Sequence, residues 1–192
     1  MQFFSIETDN FCDFGIIRAP ELAMQVGFFR GRAIKLEDLP KLHFTIDFPD
    51  DEAIPHLLGN TIPLVSKEFL NLLDEQGVNN YQAFPSQLEN LKTGRRIDNF
   101  FAFNVPGMLS KENIIGADNV NKDSDNEVTV ISSGVFHKLS SDSAATPQPE
   151  LFRLAEQPSK LICSNRIIDK MSSKRPVSGW RIDVINFSDK LY

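Results

Sequence analysis

Apolar residues in this chain come in short runs separated by polar turns, a pattern that predicts sheet more than helix. Residues 2–6 and 11–17 read as short strands, and Val26 to Arg32 as a glycine-punctuated strand leaving through a turn. Leu42-His43-Phe44-Thr45-Ile46-Asp47 alternates apolar and polar positions, as a half-buried strand does. Ile97 to Val105 is the strongest strand candidate of the middle, closed by Pro106-Gly107. Val128-Thr129-Val130-Ile131 and Val135 to Leu139 are expected to form a hairpin across Ser132-Ser133-Gly134. Residues 117–126 read as a polar loop or hairpin tip and 140–150 as a linker or loop, after which Leu151-Phe152-Arg153-Leu154 re-enters as a strand.

Two stretches share one helical design. Leu64-Val65-Ser66-Lys67-Glu68-Phe69-Leu70-Asn71-Leu72-Leu73 and Ile162-Cys163-Ser164-Asn165-Arg166-Ile167-Ile168-Asp169-Lys170-Met171 each carry an apolar pair, Ser, two polar residues, and an apolar pair again. Ser66 is a good helix N-cap, because its hydroxyl can accept from a free amide of the first turn. Glu68 suits the positive end of the helix dipole, and Phe69, Leu72 and Leu73 line one face with Val65 a turn earlier. Gly77 is the stop signal. In the second stretch Ser164 caps, and Cys163, Ile167 and Met171 share a face. There Arg166 occupies the first turn, where a carboxylate would suit the dipole better. Gly179 then precedes a strand in which Trp180, Ile182 and Val184 alternate with polar residues. The chain is therefore expected to be α+β, mostly antiparallel sheet with a few short helices, around two similar strand–cap–helix–strand units. It fits a single domain over 1–192, or one domain of two lobes, about 1–139 and 151–192, joined by the polar loop 140–150.

Composition narrows the function classes. A net charge of −6 and a pI near 5.1 argue against nucleic-acid binding, which needs a basic footprint. Two cysteines, Cys12 and Cys163, make no CxxC and no disulfide framework, so reduced thiols in a cytoplasm are expected. Acidic residues arrive too early for a signal-peptide apolar region, and no apolar run is long enough to span a bilayer. With 16 Phe against one Trp and two Tyr, phenylalanine is read as core and edge packing, with some rings held out for a partner.

No catalytic constellation stands out. His43, His56 and His137 lie far apart, outside any HxxxH, HExxH or Cys/His spacing. Gly27-Phe28-Phe29-Arg30-Gly31 puts bulky Phe where a phosphate cradle needs small residues, and Ser132-Ser133-Gly134 is no nucleophile elbow. The stretch Asn119 to Val130 resembles a calcium loop but lacks the central Gly and has Val130 at the twelfth position. Ser66 and Ser164 are read as structural caps, and Cys12 as a buried, inert thiol. Arg95-Arg96 and Lys174-Arg175 are basic pairs too small for nucleic acid. Two acidic clusters remain, Asp47, Asp50, Asp51 and Glu52, and Asp123, Asp125 and Glu127. Read as solvated turns they carry no function; read functionally they are partner-binding carboxylates that meet a basic cleft. Phe100 and Trp180 are the natural aromatic anchors of such an interface.

Three pieces of the chain resemble a family of bacterial immunity proteins of polymorphic toxin systems, the Imm11 or DUF1629 family. They are Ile62 to Phe69 continuing to Phe84-Pro85, the strand Phe100 to Val105, and Leu151 to Leu154 followed by Leu161 to Ile168 and Ser178-Gly179-Trp180. Order and spacing agree over roughly residues 40–187, while Pro106-Gly107-Met108 stands where an aspartate-containing turn is expected and Cys163 replaces an aliphatic residue. The resemblance implies a cytoplasmic, non-enzymatic binder that neutralises a cognate toxin by direct contact, with no catalytic or metal site and no cofactor. On that reading the partner is a toxin protein, with neither nucleic acid nor membrane, and the chain is a monomer or weak dimer. The alternatives are a hydrolase-like cytosolic enzyme whose site is assembled from distant residues, and a scaffold module that uses its Phe-rich strands.

Overall fold

The computed structural model describes residues 3–8, 15–52, 54–59, 61–109, 114–115, 121–122, 128–130, 135–136, 150–155, 158–173 and 177–183. In chain order the strands begin with β1 (Phe3–Thr8), β2 (Ile16–Arg18), β3 (His43–Ile46), β4 (Leu57–Leu58) and β5 (Leu64–Ser66). Helix α1 (Lys67–Glu75) follows, then β6 (Gln82–Asn90), β7 (Arg96–Asn104) and β8 (Met108–Leu109). The short strands β9 (Ile114–Ile115), β10 (Asn121–Lys122), β11 (Val128–Val130) and β12 (Val135–Phe136) come next. The chain continues through β13 (Leu151–Leu154), β14 (Leu161–Ser164), helix α2 (Asn165–Ser173) and β15 (Trp180–Asp183). A six-stranded sheet has the order β2-β3-β6-β7-β5-β4, and a five-stranded sheet the order β15-β1-β14-β13-β8. The fold is α+β and dominated by its sheets.

The two helices sit in like surroundings. β5 and β6 flank α1 in sequence and run the same way, because both pair antiparallel with the intervening β7. β14 and β15 flank α2 and also run the same way, here with β1 between them. Each helix thus belongs to a split β-α-β unit whose middle strand comes from elsewhere in the chain. Corresponding positions are buried in both: Val65 and Cys163 before the helix, then Phe69 and Ile167, Leu70 and Ile168, Leu73 and Met171. These side chains form one hydrophobic cluster with Leu57, Phe103, Leu151 and Leu161. Leu72, expected on the buried face of α1, is only partly covered, and Leu70 takes its place.

The opposite face of the six-stranded sheet carries a second cluster. Phe44, Ile46, Leu58, Leu64, Phe84, Leu88, Phe100 and Ala102 pack there against Phe28, Ile34 and Phe48. Alternation along the strands divides the clusters: Leu64 and Ala102 face one side, Val65 and Phe103 the other. β6 runs on through Pro85, a residue that interrupts the apolar pattern. The proline is accommodated where only β7 flanks β6, since pairing with β3 starts at Gln87.

Two expectations are corrected. Val26 to Arg32 makes turns rather than a strand. Arg30 folds back to donate to the carbonyls of Met24 and Gln25, and Phe28 buries its ring edge-on against Phe84 at 6.1 Å. Side-chain bonding to nearby carbonyls competes with an extended ladder here. The expected hairpin of Val128–Ile131 with Val135–Leu139 is also replaced: β11 pairs with β10, and β12 with β9. Alternating β-branched residues mark a strand but do not choose its partner.

Candidate functional site

The start of α1 and the β6–β7 hairpin enclose an open groove of about 670 Å³. Ile54 and Phe100, both buried, and the half-buried Ile97 make its floor. Its rim is charged, with Glu52, Glu68, Asp98, Arg95 and Arg96 all exposed. Glu68 is held there because Ser66, at the end of β5, starts the helix: the Ser66 hydroxyl accepts from the Phe69 amide at 3.2 Å. That hydroxyl is buried and engaged as a cap.

The hairpin side is shaped by Asp51. One of its oxygens accepts from Asn90 Nδ2 at 3.0 Å and from Thr93 Oγ1 at 2.9 Å, and the other lies 3.1 Å from Arg95. Within the turn the Gly94 amide donates to the Asn90 carbonyl, and the Lys92 amide to Asn90 Oδ1. Asp51 therefore ties the acidic loop to the hairpin and neutralises Arg95. Partial burial opposes ionisation of Asp51, but hydrogen bonds from Thr93 and Asn90 and the charge of Arg95 outweigh it and hold its carboxyl below the usual range.

The acidic cluster named from the sequence thus divides. Asp47 accepts from the Gly15 amide at 2.8 Å, fastening β2 beside β3. Asp51 organises the hairpin. Asp50 and Glu52 are exposed, and Glu52 alone of these two lines the groove. Asp123, Asp125 and Glu127 lie outside the described residues. Phe100, a natural anchor only where it faces out, is core. Trp180 is half-buried, its indole N–H donating to the Val177 carbonyl. The sequence marks Glu68 only as a helix-start carboxylate and does not mark Asp98, because the two join Glu52 only when the hairpin folds back beside α1. Glu68 as a first-turn carboxylate was the one available signal.

Of the histidines, His43 and His56 lie among the described residues, and each has its own partners. His43 Nε2 lies 3.4 Å from Glu89 on the outer face of β3 and β6. His56 lines the groove, and its Nδ1 accepts from the Ser178 amide at 3.3 Å, with the Ser178 hydroxyl at 3.2 Å. That amide fixes Nδ1 as an acceptor and leaves the ring proton on Nε2. His137 lies outside the described residues. Among the described residues no group of three or more His, Cys, Asp or Glu is placed to hold a metal ion. Cys163 is a buried free thiol, and burial pushes its pKa well up, which leaves it unreactive. Cys12 lies outside the described residues.

Two of the buried polar residues away from the groove, Arg153 and Ser164, have partners that tie loops to the fold. Arg153, on β13, is 1% exposed; it donates to the carbonyls of Pro158 and Ser159, with its guanidinium 4.8 Å from the Phe29 ring centre. Burial lowers its pKa to about 10, so it stays charged at neutral pH. Ser164, directly before α2, donates its hydroxyl to Glu150 Oε2 at 3.1 Å. No helix among the described residues is long and apolar enough to cross a membrane.

No protein-family model matches this chain, and no curated protein sequence is significantly similar to it.

Proposed function

We propose that this is a non-enzymatic, immunity-type protein that neutralises a cognate bacterial toxin by direct protein–protein contact in the cytoplasm. The observation that carries the reading is the pairing of the two strand–serine–helix segments. They are two of the stretches in which the sequence resembles the immunity family, and their serines are engaged in holding the fold. Ser66 caps its helix, Ser164 bonds Glu150, and the cysteine beside Ser164 is buried. The resembling residues thus make a scaffold, and an open, apolar-floored groove with a charged rim sits on it. Such a surface suits contact with a macromolecule better than enclosure of a small substrate.

The His56–Ser178 contact is the observation that favours a hydrolase-like enzyme instead. A base would need the Nδ1 lone pair, and the Ser178 main-chain amide already holds it. The contact is better explained as a brace between the β4 segment and the start of β15.

The test is co-expression with the toxin domain encoded next to this chain. Rescue of growth together with co-purification of the two proteins is the expected result. Rescue without a complex, or no rescue, would overturn the reading. His56→Ala should retain protection, whereas its complete loss in a folded variant would favour the enzyme.

A further inference from the structure

The rim of the groove carries uncompensated negative charge. Arg95 is neutralised by Asp51, which leaves Glu52, Glu68 and Asp98 facing Arg96. No ion pair among the described residues involves Glu52, Glu68 or Asp98; Asp98 accepts a neutral hydrogen bond from Gln87 at 3.1 Å. Among the described residues, three exposed carboxylates against one free guanidinium make this mouth anionic, directly above the apolar surface of Ile97 and Phe100. Both halves are preformed: Glu68 by the Ser66 cap, and the hairpin that carries Asp98 by the Asp51 knot. A site already rigid in the free protein loses little conformational entropy when it is filled.

We infer that this groove is the docking surface for a protein segment that presents an arginine or lysine beside an apolar side chain. The cation meets Glu52, Glu68 and Asp98, and the apolar neighbour covers Ile97 on the floor. This rests on the immunity reading for the partner's identity, and adds which face meets the toxin and with what chemistry. A phosphate-bearing or acidic ligand fits poorly, because three carboxylates would oppose it.

The test measures association and dissociation rates between the full chain and the toxin domain encoded beside it. The variants are Glu52→Lys/Glu68→Lys/Asp98→Lys, the milder Glu52→Gln/Glu68→Gln/Asp98→Asn, and Ile97→Ala. Glu37→Lys/Asp38→Lys, exposed and off the groove, is the control. Thermal unfolding confirms that each variant is folded, and the amide set serves if the reversal is not. Reversal is expected to slow association by about 10- to 1000-fold at low salt, with the control nearly unchanged. Ile97→Ala should speed dissociation and leave association alone.

If the wild type binds and protects while the folded groove variants bind as well as it does, the groove inference is wrong and the immunity reading stands. Equal losses in groove and control variants would also overturn it, since they would report net charge alone. If the wild type neither binds nor protects, the immunity reading fails and takes this inference with it. Light scattering that shows the chain self-associating until the reversal dissolves the oligomer would assign the groove to a second copy, and overturn the proposal.

Discussion

Glu150 places one carboxylate oxygen 2.8 Å from the guanidinium of Arg166 and accepts the Ser164 hydroxyl at the other. Arg166 also donates to the Gln76 carbonyl, at the C-terminal end of α1. An arginine that looks misplaced at the start of α2 thus faces the negative end of α1, and Glu150 supplies the anion that the first turn of α2 lacks. Because Arg166 is 52% exposed, water screens the pair, and Arg166→Ala is expected to cost only about 0.5–1 kcal/mol. Glu150→Ala also strands the buried Ser164 hydroxyl and should cost about 2 kcal/mol. Denaturant titration of both variants checks this; equal losses would mean that the Ser164 bond contributes nothing.

Asp51 sets an acid limit. Its folded pKa lies below the unfolded value of 3.8, so its contribution to stability is present above that value. The contribution is lost as pH falls through the folded pKa, when the carboxylate knotting the β6–β7 turn becomes protonated. Asp51→Asn should flatten the acid limb of a stability–pH curve below about pH 4. An unchanged acid limb in that variant would show that the knot is not coupled to folding.

Tyr81 sets an alkaline limit, with the opposite sign. Burial, the hydrogen bond to Asp74 and the charge of Asp74 raise its phenol from 10.0 to about 12. The stabilisation is whole below pH 10.0 and is lost as pH rises through about 12. Tyr81→Phe should remove that alkaline dependence. An ultraviolet titration should show one tyrosine ionising late in the wild type, and a single ordinary transition for both tyrosines would refute the shift.

Arg153 separates charge from volume. Arg153→Ala leaves a void and removes the donor from two carbonyls, and is expected to cost about 3–5 kcal/mol. Arg153→Met refills the space over Phe29 and should cost only about 1–2 kcal/mol. If both lose equally, the guanidinium hydrogen bonds dominate and packing contributes little.

Gly179 and Gly77 have positive φ, 83° and 73°, for different reasons. A Cβ on Gly77 would meet nothing within 4 Å, so Gly77→Ala pays only for backbone strain, about 1 kcal/mol. A Cβ on Gly179 would stand 2.1 Å from Pro55 Cβ and 2.7 Å from the Leu57 carbonyl oxygen. Gly179→Ala should therefore cost more than about 3 kcal/mol, because the turn into β15 must move off the β4 segment. Similar unfolding midpoints for the two variants would overturn this distinction.

Local signals carried far in this chain. A serine followed by apolar residues at helical spacing marks both helices, because one-sided burial, and at Ser66 capping, act over a few residues. Alternation marks β3 and β15, and a short apolar run marks β13. Pro85 hid the length of β6, since a proline is tolerated only where a neighbouring strand is missing, and that is a fact about β3.

By itself the sequence determined both helices, the strands β3, β7, β13 and β15, and most of the apolar positions that those elements bury, because side-chain size, capping chemistry and period are written in neighbouring residues. Only the tertiary structure decided that β1, from the opposite end of the chain, enters between β14 and β15. It alone decided that Glu150 repairs the start of α2, that Asp51 is a knot, and that Glu52, Glu68 and Asp98 share one groove. The reason is physical: strand partners and charge neighbours far apart in sequence are chosen by the packing of whole faces, to which no local pattern refers.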